Sequence, residues 1–166
     1  GMDAGEHWRS AEPKWKELEK LPHAEVTTEI TFERNSIKVW SRGSGVKTYD
    51  ADSGKQTDSM TVQYDGILHS VFSEHGECLL CYDGGDIVWF SEGEIKKIEH
   101  LNGAVQHAKW NKKLQCWHIA GWREECVLSL DSTKRAQLEE IPVQIIECMD
   151  FFYLVLNNGH FKRSSL

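Results

Sequence analysis

Cys78-Leu-Leu-Cys81 has the spacing of half a zinc site, and His69 and His107 lie 38 residues apart in similar surroundings. Structural zinc needs four converging thiolates or imidazoles. No second Cys-x-x-Cys and no His pair accompanies the first. If residues 77–82 form a strand, side chains three apart point to opposite faces and cannot grip one ion without a bulge or turn. The expectation is therefore no metal site, with Cys78 and Cys116 as small apolar fillers between packed sheets. The position shared by His69 and His107 carries Ile145 in a later copy of the same pattern, which suits partly buried imidazoles better than a ligand pair or proton relay.

Catalytic patterns are equally sparse. The chain has no Gly-x-Ser-x-Gly elbow, no Gly-rich phosphate loop and no His-Glu-x-x-His helix. Carboxylates in "EGEIKK" and "QLEEIP" fall where an outer, solvated strand is expected. Glu29, Ser70 and Lys109 are the nearest polar residues to the inward ends of first strands, and they form no recognised catalytic set. The expectation is a protein without catalytic residues or cofactor.

Whatever chemistry exists must be carried by repeated short strands. Set "ILHSVFSEHGECLLCYDGG" from Ile67, "VQHAKWNKKLQCWHIAGW" from Val105 and "VQIIECMDFFYLVLNNGH" from Val143 beneath one another. His69 then falls on His107, Phe72 on Trp110 and Cys78 on Cys116, each 38 residues on. The next step lays Trp110 on Cys148, Cys116 on Leu154 and Gly121 on Gly159. "SIKVWSRGSGVKTYDADSGK" joins the set with a 41-residue step, Trp40 on Cys81 and Tyr49 on Phe90. Internal repeats of this length mark solenoids, propellers or arrays.

Each unit reads as four strands. The first has 25–32, 36–41, 45–50 and 57–63; the second 67–72, 77–82, 86–90 and 94–101. The third has 104–110, 114–119, 124–130 and 135–141; the fourth stops after 143–148, 151–156 and 160–163. Gly43-Ser44-Gly45, Asp52-Ser53-Gly54, Asp83-Gly84-Gly85 and Asn157-Asn158-Gly159 supply residues that tolerate positive φ in tight hairpins. Val, Ile, Trp, Tyr and Phe fill the strands, as a pleated, half-buried surface prefers. One small sheet cannot hide both faces, but sheets ranged about an axis cover one another. The expected fold is all-β: a propeller-like array of about four antiparallel blades, the last incomplete. The units fall at about 25–66, 67–103, 104–142 and 143–166.

"IKVW" and "VKTYDADSGK" resemble the third strand and turn of WD40 repeats, where an apolar strand ends in Trp-Asp. Tyr49-Asp50 stands in that place; later units keep only Trp89-Phe90 and Leu128-Ser129 or Leu130-Asp131, and the Gly-His pair that the family places before the first strand of a unit is absent. The resemblance implies a divergent WD40-like propeller acting as a protein-interaction scaffold. In such propellers the turns between second and third strands line the binding face, which implies Arg42, Asp83, Trp122 and Arg123 as partner-binding residues. Trp and Arg combine large area with a directed polar handle, the usual make-up of binding hot spots. The alternative reading is a small-ligand or glycan-binding β protein, since aromatic rings stack on sugar faces and the chain has seven tryptophans.

Length and charge bound the partners. The chain of 166 residues carries 19 Lys+Arg against 26 Asp+Glu, a formal charge of −7. That balance opposes broad binding to nucleic-acid backbones or anionic lipid. No apolar run approaches the 18 or more residues of a membrane helix. The opening "GMDAGEHWRS" lacks an apolar export signal, and five cysteines in strand-like segments read as reduced thiols. A cytosolic or nuclear protein is expected. In residues 1–24, "SAEPKWKELEKLP" reads as a short helix begun by Pro13 and stopped by Pro22. Four units with an unfinished last one leave three arrangements: a small ring, a fragment of a larger propeller, or a half completed by another chain, as in a homodimer.

Overall fold

The computed structural model describes residues 27–164. All regular structure there is β, in four separate antiparallel sheets of consecutive strands. The first blade is β1 (Thr27–Glu33), β2 (Ser36–Ser41), β3 (Gly45–Asp50) and β4 (Gln56–Thr61). The second is β5 (Leu68–Glu74), β6 (Glu77–Tyr82), β7 (Asp86–Ser91) and β8 (Glu94–His100). The third is β9 (His107–Asn111), β10 (Cys116–Gly121), β11 (Glu124–Leu128) and β12 (Thr133–Gln137). The fourth has three strands, β13 (Pro142–Cys148), β14 (Phe151–Leu156) and β15 (Phe161–Arg163). The helix expected within residues 1–24 lies outside the described residues.

The blades stand side by side, β1 against β5, β5 against β9, and β9 against β13. Alternation of side chains on each strand gives every blade two faces, and three apolar seams fill the spaces between blades. Trp40 and Val46 of the first blade meet Val71, Leu80 and Val88 of the second. Leu79, Ile87 and Trp89 of the second meet Trp110, Trp117 and Ile119 of the third. There the tryptophan rings contact one another, Trp89 to Trp110 at 5.4 Å and Trp110 to Trp117 at 5.6 Å between centroids. Cys116, Ala120 and Leu138 meet Ile145, Phe152 and Leu154 in the third seam. Burying each such large apolar side chain contributes about 1.5–3 kcal/mol.

The third seam also holds a fully buried polar pair. His118 Nε2 lies 3.2 Å from Glu125 Oε2, and the imidazole packs tilted against Phe152 with ring centroids 4.2 Å apart. His118 Nδ1 and Glu125 Oε1 find no hydrogen-bond partner.

The strands fall close to their expected places, with one consequential slip. The β9–β10 turn takes four residues, Lys112–Gln115, where the β5–β6 turn takes two, His75–Gly76. Aligned by strand ends, Cys116 matches Glu77 and Trp117 matches Cys78, so the 38-residue step is one residue out in β10. A slip of one reverses faces. Cys78 accordingly packs toward the preceding blade and Cys116 toward the following one. Phe72 and Trp110, superposed by the sequence step, instead meet across one seam.

Candidate functional site

The blades turn one common edge outward through the β2–β3, β6–β7, β10–β11 and β14–β15 turns and the loops that join successive blades. Main-chain bonds fix this face. Val62, Leu101 and Leu138, each the first residue past an outer strand, donate to the carbonyls of Ser44, Gly85 and Arg123 at 2.8–2.9 Å. The three acceptors share positive φ, 69°, 99° and 56°. Only the glycine adopts that backbone without cost, so Ser44 and Arg123 carry strain that the bonds hold in place. Leu68 of the second blade donates to Arg42 O of the first, while Asp83 donates to Ile67 O and Asn157 to Ile141 O at the lead-in of their own blades, each at 2.9 Å.

Arg42, Asp83, Trp122 and Arg123 all lie exposed in these turns. Asp83 borders a groove of about 320 Å³ over the seam between the second and third blades, lined also by His69, Gly84, Gly85, Asp86 and Gly103. Trp122 stands at the same groove: a Cβ built on Gly103 would lie 3.0 Å from the Trp122 Cβ, so glycine lets the indole settle there while 58% of it stays exposed. Arg42 sits beside the first seam and Arg123 beside the third, through their bonds to Leu68 and Leu138. Asp83 thus lines the groove and Trp122 adjoins its Gly103, with the two arginines at the neighbouring seams of the same face.

One cluster on this face joins residues far apart in sequence. Tyr64 donates to Asp86 Oδ2, and His100 Nδ1 lies 2.7 Å from Asp86 Oδ1. Tyr64 packs on Tyr82 at 4.5 Å, and the Tyr82 hydroxyl bonds Ser44 Oγ at 2.6 Å. The Asp86 bond, aided by burial, pushes the Tyr64 phenol up to about 12. The Tyr64 and His100 bonds hold the Asp86 carboxyl below the usual carboxylate value. The cluster ties the loop after β4 to the second blade and fixes one wall of the groove.

His69 is the bulge residue of β5, exposed at the groove, while His107 pairs with Ala120 and is half-buried. Desolvation lowers the His107 pKa, with Lys109 adding to the effect. Cys78 and Cys81 point into different seams. Among the described residues no group of three or more His, Cys, Asp or Glu could hold a metal ion. Glu29 and Ser70 are half-buried and Lys109 is exposed, each on a different inner strand. Of the described tryptophans, Trp40, Trp89, Trp110 and Trp117 are core, and Trp122 alone is exposed. No helix among the described residues is long and apolar enough to cross a membrane.

The chain resembles solved propellers at low identity. It aligns with the computationally designed Ika8 protein at 9% identity and a TM-score of 0.65, over 84% of this chain and 46% of Ika8. With the designed Ika4 protein the figures are 11% and 0.62, over 91% and 98%. With the Neurospora crassa Pan2 WD40 domain they are 10% and 0.58, over 85% and 47%. The chain therefore spans about half the length of Ika8 and of the Pan2 domain. The fold is propeller-like, an array of four antiparallel blades. No family model and no curated protein matches the chain.

Proposed function

We propose that the chain is a noncatalytic interaction scaffold of the WD40-like propeller type, which captures a peptide or partner subunit on its loop face. The exposed Trp122 beside the groove that carries Asp83 and Asp86 supports this reading most directly. An exposed indole next to a cleft lined by carboxylates favours a partner that offers a cationic side chain, through cation–π and charge-assisted contacts. Arg42 and Arg123 extend the surface on either side. The partner is a protein or peptide, and no cofactor takes part. The glycan-binding alternative draws less support, because four of the tryptophans that motivated it fill the seams.

The test is selection of displayed random peptides on the intact chain. Enrichment of Lys- or Arg-containing peptides, with affinity falling as salt rises, is expected. Replacing Trp122 and Arg123 with Ala, or Asp83→Asn, should weaken capture while melting stays unchanged. Selected peptides that bind all variants equally would sink the assignment of this surface. A hit on a glycan array with Trp122 quenching would favour the alternative.

A further inference from the structure

Two Asn-Gly pairs occur in the chain, Asn102-Gly103 and Asn158-Gly159. Glycine has no Cβ to shield its main-chain nitrogen or to restrict its backbone, so that nitrogen can reach the carbonyl carbon of the preceding side chain. As dipeptides the two pairs are equivalent, and both asparagines are exposed. Their hydrogen bonds separate them. The Gly159 N–H donates to Leu156 O at 2.9 Å, and Asn158 Oδ1 accepts the His160 N–H at 3.0 Å, so nucleophile and electrophile are both held in the β14–β15 turn. The Gly103 N–H and the Asn102 side-chain amide make no hydrogen bond among the described residues. Their segment is anchored at its ends, by Leu101 N–H on Gly85 O, Asn102 N–H on Glu124 Oε2 and Gln106 N–H on Ala120 O. Backbone so sparsely bonded opens locally at little cost. Asn102 and Gly103 also line the groove that holds Asp83 and Asp86.

We propose that Asn102 is a site of spontaneous deamidation, which sets a further carboxylate on the groove while Asn158 is spared. The Gly103 nitrogen gives its proton to solvent and forms a bond to Asn102 Cγ. The Cγ–Nδ2 bond breaks, and Nδ2 leaves as ammonia. Water then opens the cyclic imide at either of its carbonyls, and the imide nitrogen regains a proton. Addition at Cγ yields aspartate; addition at the main-chain carbonyl yields isoaspartate, in which the chain runs on through the side-chain carbons. An amide and a water become a carboxylic acid and ammonia, with nothing oxidised or reduced. Either product adds one negative charge to a groove already lined by Asp83 and Asp86. Resting on the reading of this cleft as a seat for cationic side chains, the added charge tightens capture as the molecule ages.

Peptide mass mapping of the folded full chain, incubated at mildly alkaline pH, is the test. The fragment holding Asn102 should gain the mass of an amide turned to an acid. Asn158 should convert at least roughly fivefold more slowly, since one retained hydrogen bond holds back the reactive form by about that factor. In urea, where neither pair is held, the two should convert at similar rates. Equal conversion in the folded chain, or faster conversion at Asn158, overturns the inference. So does an Asn102 that stays intact in the folded chain while the unfolded chain converts. Asn102→Asp reads the consequence separately. At low salt it should bind a lysine-bearing peptide selected on the parent roughly two- to fivefold more tightly, the scale of one exposed charge pair. Equal binding refutes the gain in capture and leaves the modification standing. A parent that selects no cationic peptide refutes the proposed function, and the mapping then decides the modification on its own.

Discussion

Glu74, the last residue of β5, accepts the main-chain N–H of Trp110 at 2.6 Å and so ties the second blade to the inner strand of the third. The same device recurs with different chemistry. Glu33, at the end of β1, accepts Gly76 N–H at 2.6 Å and Ser73 Oγ at 3.0 Å from the second blade. Asn111, at the end of β9, donates to the carbonyls of Cys148 and Met149 in the fourth. The first three inner strands thus each end in a side chain that reaches one blade forward. Glu74→Ala should cost about 1–3 kcal/mol of stability, the range for losing a charged hydrogen bond, with Glu74→Gln costing less because its amide oxygen still accepts. Urea unfolding of the two variants checks the order.

Gly85 and Gly43 occupy comparable turns and should respond oppositely to alanine. At Gly85, φ is 99° and an added Cβ would lie 2.1 Å from the carbonyl oxygen of Leu101, the residue whose N–H braces the turn. Gly85→Ala should cost about 2–4 kcal/mol through strain and the lost bond. Gly43 has nothing within 4 Å of such a Cβ, and Gly43→Ala should be neutral or stabilise by up to about 1 kcal/mol by restricting the unfolded chain. Thermal melts of both variants decide this.

The Tyr64–Asp86 bond predicts an alkaline loss of stability. The phenol's folded value, about 12, lies above its ordinary 10.0, so folding favours the protonated form. Its contribution is complete below about pH 10 and fades as pH climbs through about 12. Asp86 has the opposite sign: its carboxyl is depressed from 3.8, so its contribution is present above that value and fades in acid. Tyr64→Phe should therefore lower the urea midpoint near neutrality, with the difference from the parent shrinking toward pH 12. Absorbance titration at alkaline pH should show one late-ionising tyrosine fewer.

Thiol accessibility gives a simple readout of the seams. Burial pushes Cys81 up to about 12 and Cys116 and Cys126 up to about 11, and raises Cys78 as well. Cys148 is the half-buried one of the five free cysteines. An aromatic disulfide reagent at neutral pH should label Cys148 alone in the folded chain and all five after denaturation. Rapid labelling of Cys81 would show that the second seam opens.

Much of the architecture was legible because its signals are local. Turn glycines such as Gly54 and Gly84, and apolar runs such as 77–82 and 86–91, mark strands by rules that need no tertiary knowledge. The face each residue takes was less legible. The four-residue turn Lys112–Gln115 contains no glycine, its positive φ falls on Gln115, and so the register of β10 slipped by one. Arg34 and Arg123 likewise take positive φ themselves, whereas His75 and Glu92 do so just ahead of Gly76 and Gly93. At the site, the turn positions of Asp83 and Trp122 could be read from the repeat. The cluster of Tyr64, Asp86 and His100 could not, since the blades join residues 22 and 14 apart with no spacing motif.

The bonds from Val62, Leu101 and Leu138 to the turn carbonyls have an evolutionary corollary. They run between peptide groups, which substitutions other than proline preserve wherever the new side chain, unlike one at Gly85, meets no clash. Side chains at 42, 83, 122 and 123 can therefore change with little penalty to the platform beneath them. A lineage of such chains could trade one client for another by exchanging a handful of outward residues, the frame staying constant while its selectivity drifts.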